Sequence, residues 1–253
     1  MATKIKQITE LVGLDGLLFG NWMSRQGVDS KQQIEYLKSG WLERVAFGVY
    51  KIAGSNPTLY SALSCYNNQM SKQCIVGARS ALELRGYSHY VPMGKPIAFL
   101  FTDNTQKLPA WLLNDNWDMT IRYQTTSFLG NDLLGVETQM VGGRPLLVSS
   151  PERAMMEWLN IPSINSSLLD VYYVMEMLST LRPDLTQQLL ERCTSVKVKR
   201  LFMYMAEKTQ FPWVADINTE NIDFGSGRRM IVPKGKYISK FNMTIPTDLA
   251  EYE

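Results

Sequence analysis

The sequence predicts an α+β protein in two unequal parts: a small amino-terminal unit of helices closed by one strand hairpin, and a larger mixed α/β carboxy-terminal domain. Three observations carry that expectation. Apolar residues recur at helical spacing up to residue 39 and then alternate through "WLERVAFGVYKI", residues 41 to 52. Strand-like runs gather between residues 97 and 149, and helical periodicity returns after Pro151. The 253 residues exceed an ordinary single domain and leave room for a sizeable core.

In the amino-terminal unit, Ile5, Ile8, Leu11 and Val12 predict a first helix that the Gly13 and Gly16 region weakens or ends. A short second helix over Asn21 to Gln26 stops at Gly27, a residue type that accepts a left-handed helix end. Asp29 or Ser30 offers an N-cap for a third helix, Lys31 to Ser39, with Ile34 and Leu37 facing inward and Val28 packing at its entry. That leaves Lys31, Gln32, Gln33, Tyr36 and Lys38 outward, groups able to bond phosphate oxygens and base edges. Gly40 ends the helix. The hairpin that follows carries Arg44 near its tip and Lys51 on its return strand.

Helix, short helix, turn, exposed third helix and two-stranded ribbon is the order of a winged helix-turn-helix, spanning residues 1–55. In that geometry the third helix fits a DNA major groove and the ribbon lays a basic side chain on flanking phosphate. Arg25, at the end of the second helix, joins Lys31, Gln32, Gln33, Tyr36, Lys38, Arg44 and Lys51 as a candidate DNA contact. Winged helices also dock proteins, and Glu35 and Glu43 oppose a phosphate backbone.

Residues 56–94 read as a helical connection, "TLYSALSCYNNQM" and "SALELRGYSHYV", broken near Ser71 to Gly77. From residue 95 the carboxy-terminal domain opens with the strands "IAFLFT", "MTIRYQTTSF", "GVETQMV" and "RPLLVSS", the last two joined by a Gly142-Gly143 turn. Ser150 before Pro151 is an N-cap followed by proline at the first helical position. "SLLDVYYVMEMLSTL" and "RPDLTQQLLERC" continue as helices, broken at Pro183. A further helix runs from Ser195 to about Lys208, where Val198, Leu201, Phe202 and Met205 make a core stripe and Lys197, Arg200, Tyr204 and Lys208 a second stripe beside it. Two short strand segments, "RRMIVP" and "KYISKFNMTIP", close the domain.

Charge is uneven. Residues 1–55 hold seven basic and five acidic residues, 150–194 three against six, and 195–240 nine against four. Such asymmetry fits a polyanion-facing surface or a solvated helix face. Three cysteines, Cys65, Cys74 and Cys193, are an odd number at unrelated spacings, which suits reduced thiols in the cytosol. No run of ~18 apolar residues suggests a membrane span.

Chemistry finds little support. The single histidine, His89, denies the chain a His-rich zinc set, and beside Tyr87 and Tyr90 it reads as a structural residue rather than the base of a Ser-His-Asp or Cys-His set. "FGSGRR" lacks the helix-opening context of a dinucleotide fingerprint and the Gly-Lys-Ser ending of a P-loop. Asp132 with Glu137-Thr138-Gln139 approaches a nuclease cluster but has glutamine where lysine is wanted. The expectation is a chain with no catalytic residues, no metal and no cofactor.

Four blocks together, "SKQQIEYLKSGWLERVAFGVYKIAG", "GARSALELRGYSHYV", "SSPERAMMEWL" and "SVKVKRLFMYMAEKTQFPWV", resemble the AbiEi family, antitoxins of abortive-infection type IV toxin–antitoxin systems. The resemblance runs along nearly the whole chain, in family order. It implies a winged helix that binds inverted repeats in double-stranded operator DNA upstream of its own operon, and a carboxy-terminal domain needed to neutralise a nucleotidyltransferase-like toxin, with or without direct contact. On that basis Lys197, Arg200, Tyr204, Lys208, Arg228 and Arg229 are candidate antitoxin-surface residues. One departure stands out: "RVAFGVYKI" lacks a basic residue next to the wing glycine, so the wing contact rests on Arg44 and Lys51. The rival expectation is a module that sequesters a toxin through its carboxy-terminal basic surface without needing DNA.

Overall fold

The computed structural model describes residues 2–89, 94–114, 116–130, 132–161 and 168–252. The chain begins with helix α1 (Ala2–Val12), strand β1 (Leu17–Phe19), helices α2 (Gly20–Arg25) and α3 (Ser30–Lys38), and a hairpin of β2 (Leu42–Ala46) and β3 (Val49–Ile52). Ile5, Ile8 and Val12 bury the inner face of α1, and Gly13, at φ +70°, ends it. Asp29 caps α3 by a reciprocal box: its Oδ1 accepts from the Gln32 N–H at 2.8 Å, and Gln32 Oε1 accepts from the Asp29 N–H at 3.3 Å. β3 lies in the middle of a three-stranded sheet, antiparallel to β1 on one side and β2 on the other. An extra residue between Arg44 and Ala46 makes a bulge, so the strand alternation expected across Val45 is interrupted there.

Strand β1 was not apparent in the sequence, because its three residues are held by a distant helix, α4 (Leu59–Met70). The Gln69 amide on α4 accepts from the Phe19 N–H at 3.0 Å and donates to the Leu17 carbonyl at 2.7 Å, so one side chain replaces a neighbouring strand along that edge. The thiol of Cys65 accepts from the Leu17 N–H at 3.3 Å. Arg144 pairs with Asp15 across the same junction and holds that carboxyl below the usual carboxylate range.

A five-stranded mixed sheet forms the second layer, in the order β6-β5-β4-β8-β7. Its strands are β4 (Ile75–Val76), β5 (Ile97–Thr102), β6 (Thr120–Thr125), β7 (Val136–Val141) and β8 (Arg144–Ser149). The four longer ones coincide with the strand runs in the sequence; β4, two residues long, does not announce itself. β7 and β8 form the expected hairpin, Val141 opposite Arg144, with Gly142 and Gly143 at φ +57° and +76°. Helix α5 (Ala78–Leu84) follows β4, and α6 (Ala110–Leu113) lies in the connection between the parallel pair β5 and β6.

Four helices follow: α7 (Pro151–Asn160), α8 (Leu168–Met175), α9 (Pro183–Arg192) and α10 (Val196–Thr209). The hydroxyl of Ser150 caps α7 as read from sequence, and that of Ser195 caps α10. At the centre, buried Glu157 of α7 accepts from the Ala78 N–H at 3.0 Å, Ser149 Oγ at 2.8 Å and Arg153 Nε at 2.8 Å. Arg153 then donates to the Leu134 carbonyl at 2.7 Å. One ion pair thus joins a helix start, a strand end and a loop. Ala78 adopts a left-handed backbone, φ +48°, with its N–H fixed on that carboxylate.

The chain closes with β9 (Arg229–Met230), β10 (Lys236–Ile238), β11 (Met243–Ile245) and α11 (Thr247–Glu251); β11 is the centre of this small sheet. Cys65, Cys74 and Cys193 are buried and unbridged. Among the described residues no helix is long and apolar enough to cross a membrane.

Candidate nucleic-acid interface

Helix α3 lies over the turn that follows α2, but rotated from the orientation its periodicity suggests. Gln33 and Tyr36, expected outward, are 6% and 4% exposed, whereas Ile34, expected inward, is 50% exposed; Leu37 is half-buried against the core. The cause is hydrogen bonding. Gln33 Nε2 donates to the Gly20 carbonyl at 3.0 Å, the Val28 carbonyl at 3.0 Å and Ser24 Oγ at 3.1 Å, satisfying acceptors at the α2–α3 corner. Tyr36 fills the space beside it with aromatic area that Ile34 could not supply.

The exposed ridge of α3 is therefore Lys31, Ile34 and Lys38, with Gln32 half-buried at its flank and its carbonyl engaged in the capping box. Arg44 is exposed on β2. Lys51 is half-buried: its ammonium lies 3.1 Å from Glu43 and donates to the Ser55 carbonyl at 2.8 Å. This pairing removes Lys51 from the free cations, and it also neutralises the Glu43 carboxylate. Arg25 is exposed and donates to the Gln69 carbonyl, tethering α2 to α4.

One feature was not legible in the sequence. A groove of about 610 Å³ runs between the hairpin tip and α3 on one side and residues from Tyr66 to Trp111 on the other. Arg44, Lys72 and Lys107 line it, Ile34 and Phe47 form part of its apolar wall, and no carboxylate appears among its described lining residues. Three cations around a surface without acid attract a polyanion and accelerate its encounter. Lys72 and Lys107 are far from α3 in sequence, so only the fold brings them there.

The carboxy-terminal candidates do not form one stripe. Arg200 is 3% exposed, and its guanidinium donates at 2.9 Å to each of four carbonyls, those of Phe224, Gly225, Gly227 and Asn242. It holds the "FGSGRR" turn from inside, so the turn presents carbonyls rather than N–H groups to its centre and is no anion cradle. Lys197 is half-buried, and burial pushes its ammonium below the ordinary value. Tyr204 packs edge-on against Phe241, and Lys208 donates to the Tyr252 carbonyl above the Tyr172 ring. Arg228 and Arg229 are exposed, Arg228 lying 4.6 Å from the Tyr237 ring centre. Met230 and Tyr237 are exposed beside them.

The residues weighed for catalysis are engaged in ion pairs and a ring contact. Asp132 pairs with Arg192, and Glu137 bridges Arg85 and Arg182, each at 2.8 Å. His89 stacks on Tyr173 with ring centres 4.4 Å apart.

Replacing Gln33 by Ala should lower stability by about 1–3 kcal/mol, because the acceptors at the α2–α3 corner lose their donor. Urea unfolding measures it; an unchanged midpoint would mean water takes over all three bonds.

Comparison with known proteins agrees with this architecture. The chain superposes on the crystal structure of the RV2827C protein from Mycobacterium tuberculosis with a TM-score of 0.63 at 13% identity, over 98% of this chain and 92% of that one. At such identity the likeness is one of fold. No curated protein matches the chain. Two family models do: residues 1–93 match the AbiEi antitoxin N-terminal domain of transcriptional regulators, and residues 95–246 match the transcriptional regulator, AbiEi antitoxin of type IV toxin–antitoxin systems. The chain therefore belongs to the AbiEi family of antitoxin transcriptional regulators.

Proposed function

We propose that the chain is a cytoplasmic, DNA-binding antitoxin that represses its own type IV toxin–antitoxin operon. Residues 1–55 act as a winged helix-turn-helix on inverted repeats in double-stranded operator DNA, 56–94 connect, and 95–253 neutralise a nucleotidyltransferase-like toxin. The observation that carries this reading is the acid-free groove with Arg44, Lys72 and Lys107 beside the exposed ridge of α3. On this reading Lys31 and Lys38 contact phosphate or base edges and Ile34 meets thymine methyl groups. Gln33 and Tyr36 set the angle of the helix without touching DNA.

The test uses duplexes tiling the promoter upstream of the operon. Lys31→Ala with Lys38→Ala should weaken binding at least 10-fold. Arg44→Ala should weaken promoter and random duplexes alike and reduce the slope of log affinity against log salt by about one. Wild-type affinity in both variants would overturn the reading. A second reading, sequestration of the toxin through the carboxy-terminal surface, draws on exposed Met230 and Tyr237 next to Arg228 and Arg229. It is favoured if the toxin co-purifies with the chain and DNA affinity is negligible.

A further inference from the structure

The hairpin turns on two residues, Phe47 and Gly48, between the paired residues Ala46 and Val49. Gly48, at φ +71°, supplies the left-handed conformation the turn needs. Phe47 supplies nothing to the fold. It is 97% exposed and packs against no part of the core. A large aromatic side chain held in water at a hairpin tip marks a position suited to something outside the chain.

Its surroundings narrow the occupant. β3 is fixed between two strands, and Val49 and Tyr50, directly after the turn, are buried. The tip is thus a stiff projection. Phe47 lines the same groove as Arg44, Lys72 and Lys107, where no carboxylate stands among the described lining residues. An apolar point flanked by cations fits the minor groove of duplex DNA. There an inserted side chain partly unstacks one base step while the cations hold phosphates on either side. Flexible pyrimidine–purine steps yield most readily to such insertion.

We propose that Phe47 is a wedge entering the minor groove of the DNA bound by α3, at a pyrimidine–purine step. The proposal rests on the DNA-binding reading and adds a residue to it. Promoter duplexes carrying 2-aminopurine at successive steps test it, with Phe47→Asn and Phe47→Leu alongside wild type. Phe47 is 97% exposed, so the thermal midpoint should be unchanged. Wild type should raise fluorescence at one step. Phe47→Asn should abolish that rise and bind about 10-fold or more weakly, whereas Phe47→Leu keeps most of both.

Fluorescence flat at every step, or a Phe47→Asn variant equal to wild type while the Lys31 and Lys38 double variant loses binding, would overturn the wedge and leave the DNA-binding reading standing. Unchanged binding in all variants would sink both. Loss of a dimer in Phe47→Asn, seen by sedimentation without loss of DNA affinity, would assign the tip to self-association instead and also overturn the wedge.

Discussion

Replacing Glu157 by Ala is expected to destabilise the protein by about 3–5 kcal/mol, the usual effect of leaving one member of a buried ion pair alone. The substitution strands the Arg153 guanidinium at 5% exposure and removes the acceptor of the Ala78 N–H and the Ser149 hydroxyl. Total stabilities of ~5–15 kcal/mol make this a fifth or more of the whole. Melting should fall by roughly 10 °C. Arg153→Met should be comparably harmful alone, and the pair Arg153→Met with Glu157→Leu should recover most of the loss, because two apolar side chains of similar size need no partners. A double variant no better than either single one would show that Ala78 and Ser149, rather than the ion pair, carry the effect. Thermal melting of the four proteins decides it.

The contrast between this network and the helix caps explains which parts of the molecule could be read from sequence. Asp29 and Ser150 were legible as caps because each satisfies a backbone group three residues away. The Gly142-Gly143 turn was legible for the same reason: its geometry is a property of the turn itself. The face of α3 was not. Gln33 looks like a surface residue until the Gly20 and Val28 carbonyls and the Ser24 hydroxyl are brought to it, and periodicity counts only its polarity. β1 needed Gln69, fifty residues from Phe19, before it could be a strand edge. The groove needed Lys72 and Lys107 on the far side. Long-range placement decided each point that local pattern left wrong or silent.

Arg200→Ala is the second large effect expected, and it bears on how the antitoxin surface should be probed. Removing the guanidinium leaves four carbonyls, those of half-buried Phe224 and Asn242 and of exposed Gly225 and Gly227, without their donor, and should cost ~3 kcal/mol. The loss should appear first as proteolytic cleavage between residues 224 and 242, where those carbonyls lie. Arg200→Lys should restore little, since a single ammonium cannot span the positions that a planar fork reaches. A charge reversal that includes Arg200 would therefore fail to rescue cells from toxin for reasons of folding alone. Reversal of exposed Arg228 and Arg229 to Glu is the informative experiment. Surface changes usually alter stability by only about 0.5 kcal/mol, but Arg228 also donates to the buried Thr244 hydroxyl at 3.0 Å and lies against Tyr237, so its reversal will cost more. If the doubly reversed protein melts near wild type, represses its promoter and fails to rescue growth, neutralisation runs through that surface. Full rescue by the same folded protein removes Arg228 and Arg229 from the antitoxin role, and the search then moves to Lys197 and Lys208, the cations of the original stripe that remain half-buried rather than enclosed.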